Sequence, residues 1–138
     1  MKVMVMVKAT EDTENGVMPT EDQLSEMTAY NEQLLEAGIM LDGDGLHPSS
    51  KGVRIAFDSE GNTAVTDGPF TETKELLAGY WVWQVKDMDE ATEWLKRAPF
   101  RGGELEIRPF FAPEDFGDAL TPEIEAKEAE MRKKLGTD

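Results

Sequence analysis

Apolar side chains in this chain alternate with a period of two in some segments and recur every three or four residues in others. The two-residue period predicts strands, which we place at 2–8, 39–46, 53–57, 63–66, 79–86 and 104–108. The helical period, with capping residues at its start, predicts helices over 20–37, 88–97 and 122–135. The stretch 9–19 is polar and contains Asn15-Gly16, so we predict a loop there.

Two of the predicted strands are apolar on both faces. In strand 2–8, three valines point one way and two methionines the other. In strand 79–86, two tryptophans and a valine oppose Tyr80 and Val82. A sheet covered by helices on one face only would leave the second apolar face in water, and a patch of that size is a liability for a monomer.

The order of the elements predicts the fold class. A β-α-β unit, a hairpin and a second β-α-β unit indicate an α+β, ferredoxin-like antiparallel sheet with two helices on one face. The uncovered apolar face then predicts a homodimer packed sheet to sheet, and the alternative is that helix 122–135 folds back over it. We expect one domain over residues 1–111 and an extension over 112–138 that carries the amphipathic C-terminal helix.

Composition narrows the function classes. The formal net charge of -15 argues against nucleic acid and against anionic membrane surfaces as partners. Cysteine is absent and His47 is the only histidine, so we expect no disulfide, no metal and no cofactor. No apolar run reaches the roughly 20 residues of a membrane span, and the N-terminus lacks the pattern of a signal peptide. These features predict a cytoplasmic protein.

The stretch 65–75 contains Asp67-Gly68-Pro69-Phe70 followed by Thr71-Glu72-Thr73-Lys74-Glu75. Asp-Gly-Pro is turn chemistry, because Asp can bond its own backbone, Gly permits a positive φ and Pro removes a donor. We expect Phe70 to insert into the core behind this turn. The ionisable side chains that follow lie close to the start of the aromatic strand 79–86.

This run resembles the DGPF-motif branch of the YCII-related family. The resemblance extends from about Met1 to Pro109 and includes Glu36-Ala37-Gly38, Gly45-Leu46, Gly79-Tyr80 and the segment 106–109. It implies a dimeric α+β barrel, and it implies a regulatory context because members often lie near genes for sigma factors. The catalytic His suspected on the first helix of the YCII branch proper has no counterpart in helix 20–37 of this chain.

Several residues are candidates for a site. The catalytic candidates are Asp67, Glu72 and Lys74, and the ligand-binding candidates are His47, Arg54, Phe70, Tyr80 and Trp81. Each has a structural alternative: a carboxylate bonded to turn amides, a surface ion pair, a solvated histidine, or aromatic packing. A carboxylate that accepts several backbone N–H bonds has a lowered pKa and makes a poor general base.

Two functions fit these observations. The first is a homodimer that binds a small molecule, either as a binding protein or as an enzyme that moves protons with a carboxylate. The second is a non-enzymatic regulatory module linked to transcription, with helix 122–135 as the surface that meets a protein partner.

Overall fold

The computed structural model describes residues 1–71 and 75–136 of the 138-residue chain. The strands in this part of the chain are β1 (Lys2–Lys8), β2 (Met40–Gly45), β3 (Val53–Phe57), β4 (Thr63–Asp67), β5 (Leu77–Gln84) and β6 (Leu105–Pro109). The α-helices are α1 (Glu11–Glu14), α2 (Glu21–Glu36), α3 (Met88–Lys96) and α4 (Pro122–Leu135). Short 3-10 helices span Ser49–Lys51 and Pro113–Ala119.

Four strands form one antiparallel sheet in the order β2-β5-β1-β6, and β3 pairs with β4 in a separate two-stranded ribbon. The central strands are therefore the two that are apolar on both faces. Helices α2 and α3 supply buried residues to the same side of this sheet. This order and this layering are those of the ferredoxin-like α+β fold, so the predicted fold class is confirmed.

The core lies between the sheet and the two helices. Its buried residues are Val3, Val5, Tyr30, Leu34, Ile39, Trp81, Trp83, Val85 and Ala91. Leu34 and Trp83 are fully inaccessible to solvent. Complete burial of a leucine side chain contributes about 1.5–3 kcal/mol to folding, so the buried Leu34 stabilises the packing of α2 on the sheet.

The opposite face of the sheet is also apolar, as the strand pattern predicts. Met4 and Met6 of β1 and Tyr80 and Val82 of β5 lie there and are half-buried. Helix α4 does not bury its apolar stripe on this face, because its side chains Ile124, Met131 and Leu135 are 44%, 55% and 74% exposed.

The helix starts follow the capping chemistry of the sequence. Thr20 Oγ1 accepts a hydrogen bond from Gln23 N, and Gln23 Oε1 accepts one from Thr20 N, so α2 begins with a complete capping box. The predicted loop over 9–19 contains a feature that the sequence interpretation missed. Thr10 and Thr13 form a second capping box around α1, a four-residue helix too short to show an apolar face.

The β3–β4 ribbon stands apart from the main sheet. Val53, Ile55, Phe57 and Val65 share one of its faces and are each more than half exposed. A two-stranded ribbon is marginally stable by itself, so its base needs anchoring elsewhere. In the described part of the chain, none of the helices combines the length and apolar character needed to cross a membrane.

Candidate functional site

One end of the sheet surface beneath α2 lacks side chains. Gly45 of β2 pairs with Gly79 of β5, which pairs with Val7 of β1, and Gly43 pairs with Trp81. Because side chains alternate between faces, all three glycines lie on the helix-facing side of the sheet. A cavity of about 370 Å³ remains between them and α2. We call it the glycine-floored cleft.

At two of the three floor glycines, a side chain would crowd its neighbours. A Cβ on Gly43 would lie 2.6 Å from Cδ1 of Trp81, and one on Gly79 would lie 3.0 Å from the carbonyl oxygen of Asp44. A Cβ on Gly45 would have its nearest neighbour, a backbone oxygen, at 4.0 Å. The cleft therefore depends on Gly43 and Gly79 for the packing of its walls, while Gly45 opens directly into free space.

The walls of the cleft are aromatic and aliphatic, with one amide. Met27 and Asn31 of α2 form one wall, and Trp81 and Phe100 form the other. Trp81 packs edge-to-face against Tyr30 and Phe100, at centroid distances of 5.8 and 6.1 Å. Its indole Nε1 donates a hydrogen bond of 2.9 Å to Asn31 Oδ1. The two walls are thus connected by a polar contact in otherwise apolar surroundings.

A second cavity of about 430 Å³ lies next to the cleft and shares Val7, Met27 and Phe100 with it. Ionisable side chains are among those that line this neighbour, and Lys8 and Glu104 stand on its rim. Lys8 Nζ donates to Glu104 Oε1 at 2.9 Å, and this hydrogen bond raises the pKa of Lys8 above its ordinary value. The rim cation is therefore charged and already paired.

The Asp67–Phe70 turn lies elsewhere and is anchored through Ser49. The Glu14 carboxylate accepts hydrogen bonds from the Ser49 amide at 3.0 Å and from its hydroxyl at 2.5 Å. Ser49 Oγ in turn accepts from the amide of Phe70 at 2.9 Å, and Gly68 N donates to the carbonyl of Gly52 at 3.0 Å. Three chain segments meet here, so the network fastens the base of the β3–β4 ribbon.

Phe70 does not insert into the core as expected. Its ring is half-buried and stacks under the guanidinium of Arg54, whose carbon lies 4.0 Å from the ring centroid. The turn docks on Ser49 rather than on the core, which explains the difference. Asp67 is exposed and pairs with Val53 as the last residue of β4. Among the described residues, its carboxylate accepts no backbone hydrogen bond.

The other candidates from the sequence do not converge on one place. Tyr80 borders the glycine-floored cleft, but its side chain lies on the opposite face of the sheet, where its hydroxyl donates to Asp42 at 3.2 Å. The negative charge of Asp42 raises the pKa of Tyr80. His47 is exposed, and neither His47 nor Asp67 lines either cavity. Glu72 and Lys74 lie outside the described residues.

Sequence interpretation missed Asn31, although a signal was present. Met27, Asn31 and Leu34 follow one another at helical spacing on the buried stripe of α2. A polar residue in such a stripe needs a buried partner, and the partner here is Trp81. Within the described residues, no group of three or more His, Cys, Asp or Glu side chains is arranged to hold a metal ion.

A family model described as the YCII-related domain matches residues 1–112 of the chain. The chain belongs to the YCII-related family. One relative is an uncharacterized protein from Rhizobium meliloti (strain 1021), which is 33% identical over 92 residues, covering 64% of this chain and 73% of the relative. The family is therefore established without a known activity being carried over.

Among solved structures, the chain is similar to 5-chloro-2-hydroxyhydroquinone dehydrochlorinase from Burkholderia phenoliruptrix AC1100, determined in complex with 2,5-dihydroxybenzoquinone. The TM-score is 0.46 and the identity 15%, over 80% of this chain and 94% of that one. A similarity this distant says nothing about ligands or chemistry in the YCII-related chain described here.

Proposed function

We propose that this YCII-related chain is a small-molecule-binding protein and that its ligand occupies the glycine-floored cleft. The observation that carries the proposal is the preformed cavity of about 370 Å³ above Gly43, Gly45 and Gly79. Ligand sites are typically concave, mostly apolar and supplied with few polar groups, in volumes of roughly 300–1,000 Å³. The cleft has apolar and aromatic walls and the Asn31 amide, which matches that description.

The test is a substitution that places a side chain in the cleft from its glycine floor. Gly45→Val adds a side chain where the backbone leaves space, so we expect ligand binding to fall at least tenfold while the protein stays folded. Small planar fragments, such as indole and benzamide, serve as probes, and amide chemical shifts report binding. The matched control is Ala64→Val, which enlarges an exposed strand residue on the β3–β4 ribbon. Unchanged fragment binding in Gly45→Val would show that the ligand binds elsewhere.

We further propose that the functional form is a homodimer joined through the open face of the sheet. Met4, Met6 and Val82 supply an apolar centre to that face. By strand alternation, Asp42 lies at its β2 edge and Arg108 lies at its β6 edge beside Glu106. Asp42 of one copy can therefore pair with Arg108 of the other when the two pack with β2 facing β6. Val82→Glu should convert the dimer to a monomer in sedimentation equilibrium. A wild type that is already monomeric at micromolar concentration would contradict the proposal.

Catalysis by Asp67, with Glu72 and Lys74, is a separate hypothesis about the same protein. Asp67 is exposed at the base of the ribbon and does not line the cleft. We therefore expect Asp67→Asn to leave fragment binding in the cleft unchanged. Loss of a catalysed reaction without loss of binding would support the hypothesis. Loss of cleft binding in Asp67→Asn would mean that the two regions are coupled.

Exposed apolar side chains in the C-terminal extension and just before it favour a second candidate function, a protein-interaction module. Phe111 and Phe116 stack at 5.1 Å and remain exposed, as do the apolar side chains of α4. We propose that residues 112–138 are an extension to a domain over 1–111. We also propose that the chain belongs to the DGPF-motif branch of the family and that it is located in the cytoplasm. Deleting 112–138 should abolish binding of a protein partner while the dimer persists. A deletion that changes only stability removes this candidate.

A further inference from the structure

The orientation of the Asn31 amide follows from its partner. An indole N–H can only donate a hydrogen bond, so the Asn31 atom 2.9 Å from Trp81 Nε1 must be the carbonyl oxygen Oδ1. The amide nitrogen Nδ2, with its two N–H donors, is therefore turned away from Trp81. Asn31 lines the glycine-floored cleft, and the direction of its amide is set by Trp81, which is buried at 5% exposure.

The remaining surface of the cleft offers little else for a charged ligand. Met27, Phe100 and Trp81 are uncharged, and the glycine floor contributes backbone only. Asp44 also borders the cleft, but strand alternation directs its carboxylate to the opposite face of the sheet, beside Tyr80. The described residues that line the cleft include no Lys or Arg, and the chain as a whole has a formal charge of -15. An anionic group would thus be desolvated there without a counter-ion, which is costly. A flat, uncharged ring suits a cavity with a backbone floor and aromatic walls.

We propose that Asn31 is the specificity-determining residue of the cleft and that it selects an uncharged planar ligand presenting a carbonyl oxygen. The oxygen accepts a hydrogen bond from Nδ2, while Oδ1 stays bound to Trp81. This inference rests on the proposed function, since it names the ligand class of the same cleft. It assigns a role to a residue on the buried stripe of α2, away from the Asp67–Phe70 turn.

The test uses two probes of the same shape. Benzamide presents a carbonyl oxygen, whereas benzamidinium presents donors only and carries a positive charge. Wild-type protein should bind benzamide about tenfold more tightly, which corresponds to roughly one hydrogen bond. Asn31→Asp keeps an oxygen for Trp81 but replaces the donor with a second acceptor, so it should reverse the preference. Binding is measured by chemical-shift titration, with the Trp81 indole resonance as a local reporter.

The matched control is Gln33→Glu, which makes the same amide-to-carboxylate change on an exposed position of α2 and should leave the preference as in wild type. If Asn31→Asp is poorly folded by near-ultraviolet circular dichroism, Asn31→Ala replaces it. That variant should weaken benzamide alone and bring the two probes to similar affinity.

The outcomes separate this inference from the proposed function. A preference that persists in Asn31→Asp and Asn31→Ala overturns the role of Asn31. Equal binding of both probes to wild type, lost in Gly45→Val, also overturns it but leaves the cleft as a binding site. Absence of any shift at the cleft with either probe overturns both. Reversal in Asn31→Asp with retention in Gln33→Glu establishes the inference.

Discussion

The glycine-floored cleft is the proposed ligand site, and the Asp67–Phe70 turn is the most recognisable motif in the sequence. The two regions are built in opposite ways. The cleft exists because side chains are missing from its floor and because apolar walls pack around the gap. The turn is dense, since its backbone touches the Ser49 segment and three hydrogen bonds converge on Ser49. One region has space for a ligand and the other is filled by its own chain.

This difference shows what a recognisable motif can and cannot indicate. Turn residues such as Gly68 have strong local preferences, so they form a visible pattern even when their task is steric. A cleft is assembled from residues far apart in the chain, here from α2, β2, β5 and the segment before β6. Its parts are ordinary individually, and only the fold brings Asn31 to Trp81. A recognisable motif therefore indicates that the local backbone conformation restricts the residue types, and it does not indicate that a ligand binds nearby.

The largest expected effect tests whether the turn is a steric element. In Gly68→Ala the new Cβ would lie 1.7 Å from the carbonyl oxygen of Ser49, and backbone atoms on both sides must move. We expect the free energy of unfolding to fall by about 4 kcal/mol or more, measured by urea denaturation. Gly52→Ala is the control, because its Cβ would sit at an ordinary 3.5 Å from the same oxygen. A stable Gly68→Ala variant would contradict the steric role and would favour a ligand-binding role for the turn.

A second prediction compares the layer beneath α2 with the apolar face of the ribbon. Leu34→Ala empties a fully buried site and should cost about 2–5 kcal/mol. Ile55→Ala removes the same kind of side chain from a position that is 52% exposed, so its cost should stay below about 1 kcal/mol. Both are measured by urea denaturation at two protein concentrations. A large, concentration-dependent cost for Ile55→Ala would mean that another chain covers the ribbon in solution.

Much of the fold was predictable from the sequence because its signals are local and periodic. The alternation in strands 2–8 and 79–86 and the caps at Thr20 and Asp87 specify elements that the structure contains. The order of those elements then leaves few arrangements, and the ferredoxin-like one is observed. Helix α1 was missed because four polar residues have no apolar period to detect.

The candidate site was less predictable, for a physical reason. Tyr80 and Trp81 are neighbours in the sequence, but a strand points them to opposite faces, so they cannot line one pocket with their side chains. Arg54 and Phe70 do meet, through a stacking contact that links β3 to the turn. The empty space above Gly45 has no sequence signature, because a glycine in a strand signals a bulge, a bend or a close contact equally well.

The smallest expected effect is a difference in salt dependence between Tyr30 and Tyr80, whose pKa values are raised for different reasons. Burial raises the pKa of Tyr30 to about 12, and its hydroxyl donates to the carbonyl of Trp94 at 2.6 Å. The pKa of Tyr80 is raised chiefly by the charge of Asp42. Salt screens exposed charges but not desolvation, so added salt should return the Tyr80 transition towards its ordinary pH and leave that of Tyr30 in place. Absorbance at alkaline pH follows both transitions.

For Tyr30 the same shift predicts how stability depends on pH. Because the folded state favours the neutral phenol, the stabilisation is complete below the unfolded pKa of about 10 and is lost as the pH rises towards about 12. Tyr30→Phe removes the titrating group, so its unfolding free energy should decline less steeply across that window than that of wild type. Equal slopes would mean that the Tyr30 hydroxyl is reachable by water in the folded state.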